Sequence, residues 1–106
     1  MTDQNDEKAG AGIAARGADR RRYSAPGHLE ADNGFTGDVF VTDISLTGAR
    51  AHGVFYNFVP GIVVMVSFQG LGPMRGTVRW VDPRSIGIAF EKPLHVSVLD
   101  WLTPQP

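Results

Sequence analysis

Short alternating apolar segments, separated by Gly, Pro and Asn, run from Leu29 to Phe90 and constrain the fold more than any other feature of this chain. Alternation places successive side chains on opposite faces of a strand, and closely spaced turns are typical of antiparallel sheets. The segments with this pattern are residues 39–42, 49–52, 62–68, 76–81 and 86–90. They predict an all-β domain whose five or six strands form a small closed or nearly closed antiparallel barrel, since closure removes exposed strand edges.

Two of these segments allow a finer prediction. Residues 62–68 are rich in β-branched side chains, which predicts a central strand buried on both faces. The turn-type tetrapeptide at 82–85 joins segments 76–81 and 86–90, so those two strands are expected to form a hairpin.

The end of the chain changes from alternating to helical spacing. Val98, Leu99 and Leu102 have the spacing of a short amphipathic helix, and prolines bracket the segment. We expect this helix to plug one opening of the barrel or to pack on its side, with Trp101 also in packing contact.

Length and composition limit the class of protein. The 106 residues suit one core, with a flexible tail over residues 1–19, a barrel domain with its C-terminal helix over 20–102, and a short tail over 103–106. The net charge of -1 argues against a DNA- or RNA-binding surface. The chain has no cysteine, no apolar run approaching the ~20 residues of a membrane span, and no signal-peptide pattern. These features predict a cytoplasmic protein that does not insert into a membrane.

Catalytic and metal-binding patterns are weak. His28, His52 and His95 are scattered and do not have the spacing of metal ligands. Ser45 has a carboxylate two residues away, but no histidine is marked as the base that would activate it. We therefore predict a protein that is not an enzyme and that has neither a metal nor a cofactor.

Two polar segments are chemically complementary to one class of ligand. The first is a run of three arginines, and the second follows a predicted strand and carries a carboxylate, a hydroxyl and a glycine: Arg20, Arg21 and Arg22, then Asp43, Ser45 and Gly48. Guanidinium groups bind phosphates and stack on purines, and a carboxylate can accept hydrogen bonds from the guanine edge. The glycine can adopt a positive φ that turns backbone N–H groups toward a ligand. The alternative is that the arginines are solvated tail charges and residues 43–48 form an ordinary turn.

Taken together, these residues resemble the PilZ domain family, which carries R-x-x-x-R in an N-terminal segment and D/N-x-S-x-x-G at the start of a six-stranded barrel. Asp43, Ser45 and Gly48 match the second motif completely, and the similarity extends over residues 20–102. The resemblance implies a six-stranded antiparallel barrel with a short C-terminal helix. It also implies binding of the bacterial second messenger cyclic di-GMP and signalling to an effector protein that the sequence does not identify.

The chain departs from the family at the first motif. With Tyr23 at the usual aromatic position, Arg21 is the first motif arginine and Ala25 replaces the second. The frame Arg16 to Arg20 satisfies R-x-x-x-R but lies too early relative to the barrel. Losing one charge-assisted phosphate contact would cost roughly 1.5 to 3 kcal/mol unless another arginine replaces it.

Trp80 has two interpretations. Because it lies on an alternating strand with Val78, we expect a core residue; the alternative, which the resemblance supports, is a surface ring that stacks on a guanine. Two hypotheses therefore stand. The chain is a cyclic di-GMP receptor whose N-terminal segment folds over the ligand, or it binds no nucleotide and acts as a protein-interaction adaptor.

Overall fold

Six strands form a closed antiparallel barrel in a computed structural model of the protein, which describes residues 20–104. The strands and the one helix of this part of the chain are β1 (Arg21–Ala31), β2 (Thr36–Ile44), β3 (Gly48–His52), β4 (Val63–Phe68), β5 (Leu71–Asp82), β6 (Ser85–Phe90) and α1 (Val96–Leu102). Their order around the barrel is β1, β2, β3, β6, β5, β4, and β4 pairs with β1 to close it. The predicted six-stranded barrel with a C-terminal helix is confirmed, and the tail predicted over residues 1–19 lies outside the described part.

The barrel core follows the alternation seen in the sequence. Apolar side chains from all six strands point inward and are nearly inaccessible to solvent; among the largest are Leu29, Val41, Ile44, Val64, Val66, Val78 and Ile86. Burying one such side chain contributes about 1.5 to 3 kcal/mol, so this interior supplies the main stabilisation of the domain. The hairpin predicted for the last two strands is present as β5 and β6.

Two strands differ from their predicted form. In β4, Val64, Val66 and Phe68 are buried, but the alternate residues are only half-buried, so the prediction of burial on both faces was wrong. The reason is that one face of β4 lines the barrel interior and the other forms its outer wall. The first strand also begins at Arg21, well before Leu29, because β1 pairs with β2 from Arg21 to Glu30 despite one register shift.

Helix α1 covers one end of the barrel. Its Leu99 and Leu102 join the core, and the Leu94 backbone N–H, just before the helix, donates to the Leu46 carbonyl. This packing matches the first of the two positions predicted for the helix. The prediction that Trp101 packs was wrong, since its side chain is 64% exposed. A seven-residue helix has one narrow buried stripe, which Leu99 and Leu102 fill, and Trp101 lies away from it.

An aromatic cluster closes the other end. Phe55 and Phe58, from the connection between β3 and β4, pack against each other and against Phe35 with ring centroids 5.1 to 5.8 Å apart. The same connection exposes Val54, Tyr56 and Val59 on its outer side. The sequence pattern did not predict this cluster, because its phenylalanines lie outside any alternating segment.

Register shifts disturb the sheet at four places in the described strands, and three of them concern residues close to one another. These three lie between Arg21 and Ser24 on β1, between Thr42 and Ile44 on β2, and between Val78 and Trp80 on β5. A bulge adds one residue to one strand of a pair and re-aims the neighbouring side chains, and bulges are frequent beside functional sites. The three bulges therefore give one part of the barrel wall an irregular backbone, with side chains that do not follow the alternation of the strands.

Candidate functional site

A cavity of about 200 Å³ lies on the outer wall of the barrel, where β2, β3, β5 and β6 adjoin. The polar and aromatic side chains around it come from segments far apart in the sequence: Arg20, Asp43, Ser45, Thr47, Arg50, Arg79 and Trp80. Backbone of Gly48 and Gly87 forms part of the wall. The fold thus brings together four separate sequence segments at one place.

Trp80 faces this cavity and not the core. Its side chain is 37% exposed, so the prediction of a core residue was wrong and the ring lies at the surface, as the alternative expected; its stacking on a guanine stays a prediction. The bulge on β5 is the physical reason: Val78 pairs with Ile88, but Trp80 pairs with Gly87, so one residue of β5 has no counterpart on β6. Two consecutive side chains, Arg79 and Trp80, consequently point outward.

Gly87 provides the seat for the Trp80 indole. A Cβ atom at this position would lie 2.1 Å from Trp80 Nε1 and 2.3 Å from its Cε2 atom, closer than any real contact. Strand β6 also separates β3 from β5, and Gly87 pairs with both Arg50 and Trp80. The absence of a side chain here lets a group on β3 meet a group on β5 across β6.

Arg50 is the group that makes this contact. Its guanidinium carbon lies 5.6 Å from the centroid of the Trp80 ring, within the range of a cation–π interaction. Its Nη1 atom is 3.6 Å from Oδ2 of Asp43. Asp43, Arg50 and Trp80 therefore form a continuous set of carboxylate, guanidinium and indole along the cavity.

Asp43 owes its position to the bulge on β2. Its φ of 54° lies in the left-handed region, which Asp tolerates better than most residues. The two neighbours, Thr42 and Ile44, pair with adjacent residues of β3, so Asp43 is the additional residue of its strand. The bulge directs a half-buried carboxylate toward the cavity while Ile44 stays in the core.

Ser45 and Gly48 shape the turn that follows. The Ser45 hydroxyl accepts from the Thr47 backbone N–H and donates to the Gly48 carbonyl, each at 3.3 Å. Gly48 does not have the positive φ expected of it; that conformation occurs at Asp43. Gly48 is required for a different reason, because a Cβ atom there would lie 2.3 Å from the Ile88 carbonyl oxygen of β6.

The three clustered arginines have different surroundings. Arg20 lines the cavity, whereas Arg22 is exposed and is not part of its lining. Arg21 extends to the C-terminal helix, where its Nη1 atom donates to Oδ1 of Asp100 at 2.8 Å and to Oγ1 of Thr103 at 3.0 Å. The structure therefore brings Arg20, Asp43, Ser45, Gly48 and Trp80 together, but it leaves Arg21 and Arg22 outside the cavity lining.

Sequence reasoning missed two cations and one glycine of this site. Arg50 and Arg79 both line the cavity, and Gly87 seats the indole. Arg50 follows the second motif by two residues and Arg79 precedes Trp80, so proximity to recognised residues was the available signal. Gly87 lies inside an alternating strand, where glycine often marks a close approach.

Ala25 occupies a buried position. It is 6% exposed and pairs with Val41 of β2. An arginine at this position would have to bring a charged group into a place where a methyl group now lies, or the start of β1 would have to shift. Substitution of Ala25 by arginine would therefore change the packing of β1 as well as the local charge.

Other kinds of site find little support in residues 20–104. No group of three or more His, Asp or Glu side chains in this range has an arrangement that could hold a metal ion. The range also contains no helix of the length and apolar character needed to cross a membrane.

Comparison with known proteins agrees with the fold. No curated protein and no solved structure matches the chain. The family model of the PilZ domain matches residues 15–102, which include all six strands and the helix. PilZ domains are binding and adaptor domains, not enzymes, and the family is known for binding cyclic di-GMP. By this match over most of its length, the chain belongs to the PilZ domain family.

Proposed function

We propose that the chain binds cyclic di-GMP at the cavity on its barrel wall and transmits the signal to a partner protein. The observation that carries this proposal is the set of Asp43, Arg50 and Trp80, which lie in contact around one cavity. A carboxylate accepts hydrogen bonds from guanine N1–H and N2–H₂, an indole stacks on the purine face, and a guanidinium binds phosphate or stacks.

The size of the cavity indicates how the ligand lies. About 200 Å³ is below the ~300 Å³ of a pocket that encloses a drug-sized molecule. The cavity itself therefore takes one guanine base, with Asp43 at the polar edge and Trp80 against the ring. The phosphates and the rest of the cyclic dinucleotide lie along the rim, where Arg20 and Arg79 supply positive charge.

A second function, an adaptor that binds no nucleotide, is favoured by Ala25. The second motif arginine is absent, and its position is buried against β2. The exposed apolar side chains Val54, Tyr56 and Val59 at the far end of the barrel offer a surface on which such an adaptor would contact another protein.

Calorimetric titration with cyclic di-GMP at moderate salt tests the receptor function. We expect saturable binding by the unaltered chain, and loss of at least about tenfold in affinity for Asp43→Ala and for Trp80→Ala. Cyclic di-AMP is the matched ligand control, because adenine has no N1–H and no 2-amino group for the carboxylate to bind. It should bind much more weakly than cyclic di-GMP.

The Arg84→Ala variant controls for net charge, since Arg84 lies in the turn between β5 and β6 and outside the cavity lining. No saturation up to about 100 μM cyclic di-GMP, where binding would be worth only ~5.5 kcal/mol, would contradict the receptor function and favour the adaptor. Equal binding of both cyclic dinucleotides would contradict the role given to Asp43.

A further inference from the structure

We propose that Arg79 is a phosphate-binding residue for the cyclic dinucleotide and performs the task for which this chain has no arginine at position 25. This inference rests on the proposed function, because it assigns a partner to one group of that ligand. Its support comes from the backbone of β5, from the surroundings of the other arginines, and from the chemistry of a phosphodiester.

The backbone of β5 gives Arg79 an unusual orientation. The bulge between Val78 and Trp80 turns Arg79 and Trp80 to the same outer face, whereas a regular strand would place them on opposite faces. The two side chains consequently line one cavity. A guanidinium next to a stacking ring matches a nucleotide, in which a charged phosphate is attached through a sugar to a flat base.

Two other arginines in this part of the barrel already have partners. Arg50 contacts Asp43 and lies over Trp80, and Arg21 donates to Asp100 of helix α1 and to Thr103 just after it. Arg79 is exposed and has no hydrogen bond, ion pair or ring contact with any other residue between positions 20 and 104. A phosphate can therefore bind its guanidinium without breaking an existing interaction.

Position 25 cannot supply this charge. Ala25 is buried on β1 opposite Val41 and does not line the cavity. Arg20, just before β1, lines the same cavity as Arg79. The two guanidinium groups come from different parts of the chain and can bind the two phosphates of a cyclic dinucleotide, each through a bidentate contact.

Titration of three variants with cyclic di-GMP tests the assignment. Arg79→Gln removes the charge but keeps most of the length, and we expect its Kd to rise about ten- to a hundredfold. Arg79→Lys keeps the charge without the bidentate fork, so its Kd should lie between the Kd of the unaltered chain and that of Arg79→Gln. Arg84→Gln makes the same charge change outside the cavity lining and should stay within about twofold of the unaltered chain.

Thermal unfolding distinguishes a binding role from a structural one. Because Arg79 makes no hydrogen bond, ion pair or ring contact within residues 20–104, Arg79→Gln should leave Tm unchanged. Unaltered affinity in Arg79→Gln, while the parent chain binds, would overturn this inference and leave the proposed function intact. An equal loss in Arg79→Gln and Arg84→Gln would also overturn it, since only net charge would then matter. Absence of binding by the parent chain would overturn the proposed function and this inference with it.

Discussion

Substitution of Gly87 by alanine should move the Trp80 indole without unfolding the barrel. The added Cβ atom would lie 2.1 Å from Trp80 Nε1, so the ring must retreat by more than 1 Å to reach an ordinary contact. The indole can do so because it lies at the surface and is 37% exposed. The backbone of Gly87 does not have a positive φ, so alanine introduces no strain there.

The magnitude follows from the contacts that the indole loses. Displacement removes the cation–π contact with Arg50, worth about 0.5 to 1 kcal/mol at an exposed site. If Trp80 stacks on a guanine, displacement also removes ~1 to 3 kcal/mol of base stacking, which raises Kd about five- to a hundredfold. The free energy of unfolding should change by less than about 1 kcal/mol, because no core side chain is displaced.

Calorimetry and tryptophan fluorescence measure the two effects. A Trp101→Phe background leaves Trp80 as the single tryptophan, so its emission reports the position of that indole. Gly53→Ala is the matched control, since its added Cβ atom would meet only an ordinary 3.4 Å contact with Phe55. If Gly87→Ala bound cyclic di-GMP as tightly as its parent and showed the same emission, the argument that Gly87 seats a stacking ring would be wrong.

Three further substitutions have definite expected outcomes. Asp43→Ala, which we expect to weaken cyclic di-GMP binding at least about tenfold by calorimetry, should cost less than ~1 kcal/mol in urea unfolding, since the ion pair of Asp43 with Arg50 is partly exposed; a large loss of stability would contradict this. Asp100→Asn removes the charge of the 2.8 Å partner of Arg21, and because that carboxylate is 60% exposed the free energy of unfolding in urea should fall by less than about 1 kcal/mol; a larger loss would contradict this. Hydrogen bonds from the Arg84 backbone and then from the Ser85 side chain lower the pKa of Asp82 in the folded protein below 3.8, its value in the unfolded chain. The ionised Asp82 therefore stabilises the fold fully above pH 3.8, and this contribution is lost as the pH falls through the pKa of the folded state. In urea unfolding between about pH 5 and pH 3, Asp82→Asn should therefore lose less stability on acidification than its parent, and parallel curves would contradict the assignment.

Much of the barrel could be predicted because inward and outward residues alternate along most strands. Val39 and Val41 on β2 and Ile86 and Ile88 on β6 show the pattern plainly, and all four are buried. Such alternation is set by strand geometry and is visible in the sequence alone. The aromatic cluster around Phe55 was not predictable in this way, since a connection between strands has no fixed period.

The candidate site was predicted only in part, because bulges break the rule on which the prediction rests. Strict alternation from Val78 places Trp80 in the core, and one additional residue in β5 reverses that result. The sequence contains no direct sign of this bulge. Arg50 and Gly87 were not predicted for a related reason. Their contacts with Trp80 depend on which strands become neighbours in the barrel.

A bulge also allows the ligand-binding side chains of a barrel to vary independently of the core residues on which its folding depends. On β5 the inward residue Val78 remains in the core whatever side chains occupy the two bulged positions that follow it, Arg79 and Trp80. Mutation at those positions can therefore change or abolish ligand recognition while the hydrophobic interior, and with it the folding of the chain, is preserved. This independence makes the ligand specificity of the barrel evolvable: a lineage can lose an arginine at one rim of the site, gain another on a different strand, and keep the same scaffold throughout.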